Sequence, residues 1–173
     1  MKRLALLIII IVVMGIVLFV SPMFTVISFT ETRMNNPQMY YINVFKDKNF
    51  EIRYTHSIHL TDVLEKYEIT KSRRLKLVSM EYEDVAVGMP AHAEEGQTLT
   101  YENGKYKLEY ENTTMDQFTL YIGNIDLDLY VNYGDKNYNL KKSLKRGNSY
   151  VFEVKKVSLY DKLKGVVMKN EDR

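Results

Sequence analysis

Beyond residue 38, apolar and polar residues alternate with a period of two. Phe50-Glu51-Ile52-Arg53-Tyr54 alternates, as do Leu75-Lys76-Leu77, Met80-Glu81-Tyr82, Tyr106-Lys107-Leu108-Glu109-Tyr110 and Phe118-Thr119-Leu120-Tyr121-Ile122. Ile125 to Val131 and Tyr150-Val151-Phe152-Glu153-Val154 continue the pattern. Successive side chains on a strand point to opposite faces, so these runs predict strands with one face on a core and one in water. Asn103-Gly104 between Thr98–Glu102 and Lys105–Tyr110 predicts a two-residue hairpin turn. Gly134-Asp135 and Arg146-Gly147-Asn148 punctuate neighbouring runs. The expected fold is all-β, a small antiparallel β-sandwich or barrel of about eight or nine strands. Leu60 to Lys66 reads as a turn with a short helix or as the start of a strand. Ser158 to Met168 reads as a short terminal helix capped by Ser158, with Tyr160 and Leu163 toward the body.

The first twenty residues break this pattern. Met1-Lys2-Arg3 precedes an uninterrupted apolar run from Leu4 to Val20, which resumes as Met23-Phe24-Thr25-Val26-Ile27 after Ser21-Pro22. A helix from Leu4 through Ile27, interrupted at Ser21-Pro22, reaches across a hydrocarbon layer of about 30 Å. The two leading basic residues favour a cytoplasmic amino terminus and an emerging chain on the outer face. A secretory signal shares the design, but its apolar core is about 7–15 residues and ends in a small-residue cleavage site. The longer core and the lack of an Ala-x-Ala favour an uncleaved anchor. The expected organisation is a transmembrane helix as anchor (or signal) over residues 1–29, a linker over 30–38 and an extracytoplasmic β domain over 39–173, single-pass in the cell membrane.

Composition narrows the function classes. The 173 residues contain no Cys, which excludes disulfides and attachment through a lipidated cysteine. Without Lys2 and Arg3, the 24 basic residues fall to 22, matching 22 acidic ones. The basic excess therefore belongs to the membrane-targeting end, and nothing argues for a nucleic-acid partner. Fourteen Tyr suit half-buried strand faces, since Tyr is a strand former with a polar tip.

Candidate chemistry gathers in two places. Tyr54 to Tyr67 holds His56, Ser57, His59, Asp62 and Glu65, and Val87-Gly88-Met89-Pro90-Ala91-His92 holds the third histidine. In a turn leaving a strand, His56 and His59 can face one ion, with Glu65 or His92 as a further ligand for a zinc-like tetrahedral site. The spacing matches no recognised metal motif, and no cofactor is expected beyond that zinc reading. The plain alternative makes His56 a half-buried side chain hydrogen-bonded to Glu65 or to a backbone carbonyl. Ser57 as a nucleophile requires a base at about 3 Å and an orienting carboxylate, and no Gly-x-Ser-x-Gly elbow is present. Gly88-Met89-Pro90 reads as a tight loop, or as a wall that packs across the His56 region with Met89 as its apolar face.

The run Phe50 to His59, then Glu65 and Tyr67-Glu68-Ile69, then Val87-Gly88-Met89-Pro90, resembles the bacterial domain of unknown function 1850. The resemblance is clearest from Asn49 to Gly104 and extends to about Lys155. It implies a small exported or membrane-anchored protein, of a kind often encoded beside tripartite ATP-independent periplasmic transporters. His56, Ser57, Glu65, Gly88 and Met89 match the family's characteristic positions. The chain departs at His59, where many members carry an acidic residue, and at Ala86-Val87-Gly88, where the family has a more glycine-rich run. Three function classes follow. The first is a membrane-tethered accessory or interaction module, with a transporter membrane subunit or a solute-binding protein as partner. The second is a small-ligand or metal-ion-binding domain, and the third a hydrolase.

Overall fold

The computed structural model describes residues 2–85 and 87–171. Met1, Ala86 in the loop before Gly88, and Asp172 and Arg173 of the charged tail lie outside the described residues. Helix α1 (Lys2–Val20) is followed by β1 (Phe24–Glu31), β2 (Met39–Asn43), β3 (Asn49–Thr55), β4 (Asp62–Ile69) and β5 (Leu75–Tyr82). Then come β6 (Gln97–Glu102), β7 (Lys105–Tyr110), β8 (Thr114–Met115), β9 (Gln117–Tyr121), β10 (Leu129–Tyr133) and β11 (Lys136–Asn139). Helix α2 (Leu140–Ser143), β12 (Ser149–Val157), α3 (Leu159–Lys164) and β13 (Val166–Val167) complete the chain.

The strands form two sheets. One has the order β13-β2-β1-β12-β9, and the other β11-β10-β3-β4-β5-β7-β6 with β8 beside β5. Every pairing is antiparallel except β13 with β2. The inward residues of both sheets meet in one core, which makes the all-β fold a sandwich rather than a barrel. At its centre Phe152 of β12 lies 5.0 Å from Phe29, 4.7 Å from Phe118 and 5.6 Å from Phe50, ring centre to ring centre.

Three local readings change. The apolar run after Pro22 is not a continuing helix: α1 ends at Val20, and Met23–Ile27 enters β1. Both faces of β1 are buried, with Ile27 and Phe29 in the main core and Val26 packed with Tyr41 and Val157. A strand covered on both sides is apolar at successive positions, so its sequence imitates a membrane segment. Thr30 and Glu31 also belong to β1, which leaves 32–38 as the connection. Ile125–Asp128 is a loop, and the strand there begins only at Leu129. Of the two readings of Leu60–Lys66, the structure has the start of a strand, since β4 begins at Asp62.

The broken alternation between Leu75-Leu77 and Met80-Tyr82 has a structural cause. Lys66 pairs with Ser79 but Tyr67 with Leu77, so Val78 is an extra residue in β5. This bulge returns Met80 and Tyr82 to the face already used by Leu75 and Leu77. The Asn103-Gly104 turn is as expected: Glu102 pairs with Lys105, and φ is +53° at Asn103 and +80° at Gly104. Positive φ at both central residues is the type I′ geometry that matches strand twist. Ser158 caps α3 with a reciprocal Ser158–Asp161 capping box. However, Tyr160 and Leu163 point outward, 41% and 70% exposed.

Candidate functional site

β4 carries the site because one of its inward positions is charged. Val63, Tyr67 and Ile69 are buried at alternate positions of the strand, and Glu65 falls in the same register between them. A carboxyl among core positions breaks the pattern that organises the rest of the sheet. Glu65 faces β3 at Ile52 and β5 at Met80, one residue from the bulge that shifts the register.

Glu65 lines a cleft of about 500 Å3 between the sheets, together with Tyr54, Tyr67, Phe118 and Leu120. The Tyr67 hydroxyl donates to its Oε2 at 2.6 Å, and the Tyr54 hydroxyl to its Oε1 at 3.4 Å. Burial pushes the carboxyl pKa above the ordinary range, against the opposing pull of the two hydroxyls. Both phenols are pushed up as well, first by burial and then by the neighbouring carboxylate. Around Glu65 the wall is aromatic, with Tyr67 stacked on Phe50 at 5.0 Å and against Phe118 at 6.1 Å, and aliphatic side chains such as Ile52, Leu127 and Leu129 line the rest. Lys141 stands at the mouth, where its Nζ donates to the Ile125 carbonyl. Burial and then Arg146 lower its pKa.

The cleft opens at the end of the sandwich remote from α1. β12 runs from Ser149, paired with Tyr121 at the cleft, to Val157, paired with Phe24 just after α1. Nine strand residues separate the two ends by about 26 Å.

His56, Ser57 and His59 lie in the turn joining β3 to β4. The turn is closed by His56 N–H to the Thr61 carbonyl at 2.8 Å and Leu60 N–H to the His56 carbonyl at 2.9 Å. His56 Nδ1 accepts from the amides of His59 and Ile58 at 3.3 and 3.4 Å, so this histidine caps its own turn and does not pair with Glu65. The two imidazoles stack at 5.1 Å, and His59 Nδ1 lies 3.2 Å from Asp84 Oδ2. His56 and Ser57 border the cleft. Ser57 is exposed, and among the described residues no hydrogen bond joins it to a histidine.

Gly88, Met89 and His92 lie elsewhere. They line a separate hollow of about 300 Å3 with Pro90, Glu94 and Tyr110. Its loop is pinned by the Tyr82 hydroxyl donating to the Pro90 carbonyl at 2.6 Å, and Met89 packs on the Val63–Tyr82–Leu108 cluster. Gly88 has φ +86°, a left-handed conformation that favours glycine. The loop thus covers an extension of the core rather than walling the His56 cleft. No three His, Cys, Asp or Glu side chains converge as a metal ion requires, among the described residues. Of the cleft residues, Tyr54, Tyr67, Phe118, Leu120 and Lys141 were not singled out from sequence. For Glu65 and Tyr67 the signal was present, since Val63-Glu65-Tyr67-Ile69 is an apolar register with one acid in it.

The family model described as "Domain of unknown function (DUF1850)" matches residues 50–140, just over half of the chain. The matched segment runs from the start of β3 to the start of α2 and includes Glu65, the smaller hollow and all of the cleft lining except Lys141. No curated protein and no solved structure matches the chain.

Proposed function

Starting from the fact that the chain belongs to the DUF1850 family, we propose that it is a membrane-tethered extracytoplasmic accessory module that takes a small organic solute into its inter-sheet cleft. The observation that carries this reading is Glu65, a carboxyl hydrogen-bonded by two tyrosines inside an aromatic cleft that faces away from the anchor. α1 supports the tether, being one helix long and apolar enough to cross a membrane. The cleft volume lies within the range of small-molecule sites, about 300–1,000 Å3, and the Tyr54 and Tyr67 hydroxyls converge on Glu65, as orienting groups do in such sites. The preferred ligand is an amphipathic cation. A protonated amine beside Glu65 offsets the penalty that burial places on its ionised form.

In this reading the tether holds the cleft about 26 Å above the bilayer, within reach of a membrane-embedded transporter subunit or its solute-binding protein. Confinement to the membrane raises the effective concentration of such a partner, so a weak contact suffices. The exposed apolar residues Tyr121 and Ile125 on the cleft rim are the surface such a partner would cover.

The test uses n-hexylammonium, hexanol and hexanoate as probes on the full chain in nanodiscs, read by ligand-observed NMR and thermal shift. Hexylammonium binds best, hexanoate worst, and Glu65→Gln abolishes the preference. Equal binding of the three, or a preference for hexanoate, overturns the assignment. Crosslinking in the native membrane tests the partner: a transporter subunit recovered at constant ratio supports the accessory role, and none recovered refutes it.

A further inference from the structure

We propose that the sandwich does not hang freely from its anchor but is seated on the bilayer surface through α3 and the β2–β3 loop. α1 is 19 residues long, about 28 Å of helix, close to the thickness of a hydrocarbon core. Its last turn therefore lies at the membrane boundary. There the Ser21 hydroxyl donates to the Val17 carbonyl at 2.6 Å and ends the helix, and only Pro22 and Met23 intervene before β1. α3 touches this boundary directly, because the Tyr160 ring meets Phe19 of α1 edge-on at 5.9 Å. Tyrosine at a lipid–water boundary keeps its ring in the apolar layer and its hydroxyl in water.

The strand register brings a second element to the same level. Phe24, the first residue of β1, pairs with Val157 immediately before α3, and the Val44 amide donates to Thr25 at 3.0 Å. The β2–β3 loop that follows carries Phe45, which is 78% exposed. Its amide donates to the Tyr133 hydroxyl at 2.8 Å, so the loop is held in place while its aromatic side chain stands in the open. Leu163 is 70% exposed on α3, with Leu159 at 41%. Exposed large apolar residues on two elements beside a membrane span mark a surface that a bilayer covers.

The charges on this face have the sign that anionic lipid requires. Lys46 and Lys48 follow Phe45 with Asp47 between them, and Lys162 and Lys164 flank Leu163 after Asp161, so the four lysines outnumber the two acids. Lys162 Nζ lies 4.5 Å from the Phe24 ring centre and Lys164 Nζ 4.5 Å from that of Tyr160. Each ammonium lies over the face of an aromatic ring, a cation–π contact that fixes a positive charge beside the membrane boundary. Gly165 allows α3 to lie this close to the sheet: a Cβ there would stand 2.9 Å from the Met39 methyl and 3.1 Å from the Tyr41 ring.

The chain has no cysteine, so single probes can be placed without background. Full-length protein carrying an environment-sensitive fluorophore at Leu163→Cys, Phe45→Cys, Glu95→Cys or Ile10→Cys is placed in nanodiscs containing phosphatidylglycerol. Probes at 163 and 45 emit to the blue of the one at 95, are quenched several-fold less by dissolved acrylamide, a neutral quencher, and are quenched by nitroxide-bearing lipid. Reversing charge with Lys162→Glu and Lys164→Glu together raises acrylamide quenching at 163 and leaves position 10 unchanged. Probes at 163 and 45 that are as wet as the one at 95, while position 10 reports lipid, overturn the seating and leave the anchor standing. A wet probe at position 10 overturns both. Unchanged protection after the charge reversal refutes the role given to the lysines.

Discussion

Replacing Tyr67 by Phe isolates one interaction of the cleft. The hydroxyl donates at 2.6 Å to Glu65 Oε2, and Tyr67 is only 5% exposed. The ring is kept, and with it the stacking on Phe50 and Phe118. What is lost is a hydrogen bond to a carboxylate, worth about 1.5–3 kcal/mol when the acceptor is ionised and about 0.5–1.5 kcal/mol when it is neutral. For a chain of this size that corresponds to a fall in melting temperature of roughly 3–12 °C at alkaline pH and about half as much in acid. The pH dependence follows from the raised pKa of Glu65. Between the unfolded value near 4.5 and the higher folded value, the folded state holds more protons than the unfolded one. The contribution of Glu65 to stability is thus fully present below the unfolded pKa and is lost as pH rises through the folded pKa. Glu65→Gln keeps an acceptor for Tyr67 and removes the charge, so it melts higher than the wild type at pH 8 and not at pH 4. Thermal melts of the full chain in nanodiscs at the two pH values measure all three proteins. A Tyr67→Phe loss equal at both pH values, or a Glu65→Gln variant less stable than wild type at pH 8, would refute the account of a buried, proton-favouring carboxyl.

Gly104→Val forces a branched side chain to φ +80° and destabilises the β6–β7 hairpin by about 1–3 kcal/mol, seen as faster amide exchange confined to residues 97–110. Ser158→Ala removes the α3 cap at a cost of about 1 kcal/mol. Hydrogen bonds from Ser158 hold the Asp161 carboxyl below its usual pKa, so this stabilisation is present above the unfolded value and lost as pH falls through the folded one. Equal melting of Ser158→Ala and wild type at pH 7 would contradict the capping box. His56→Ala removes the acceptor for the Ile58 and His59 amides and loosens the β3–β4 turn, at about 0.5–1.5 kcal/mol. Unchanged exchange at those two amides would show that the imidazole does not cap the turn.

Period-two alternation, a single apolar run behind two basic residues and an Asn-Gly turn determine much of this protein without any structure. They specify a β domain behind a membrane-length helix, the β6–β7 hairpin with its positive-φ residues, and the Ser158 cap. These features are local, and each depends on residues within a few positions of one another. Three further properties were decided by contacts distant in sequence. Phe24–Ile27 is strand because it pairs with β2 and β12, with Val26 packed beside Tyr41 and Val157 on one face and Ile27 in the main core on the other. His56, Glu65 and His92 are close in composition and spacing yet separate in role, since the register turns Glu65 inward, the turn occupies His56 and a different loop carries His92. Tyr160 and Leu163 have the spacing of an inward helix face, but α3 lies against the end of α1 and turns them outward. Sequence determines which residues share a face of one element. Which side of that face meets protein, cleft or lipid is set by the packing of elements that the chain brings together from more than a hundred residues apart.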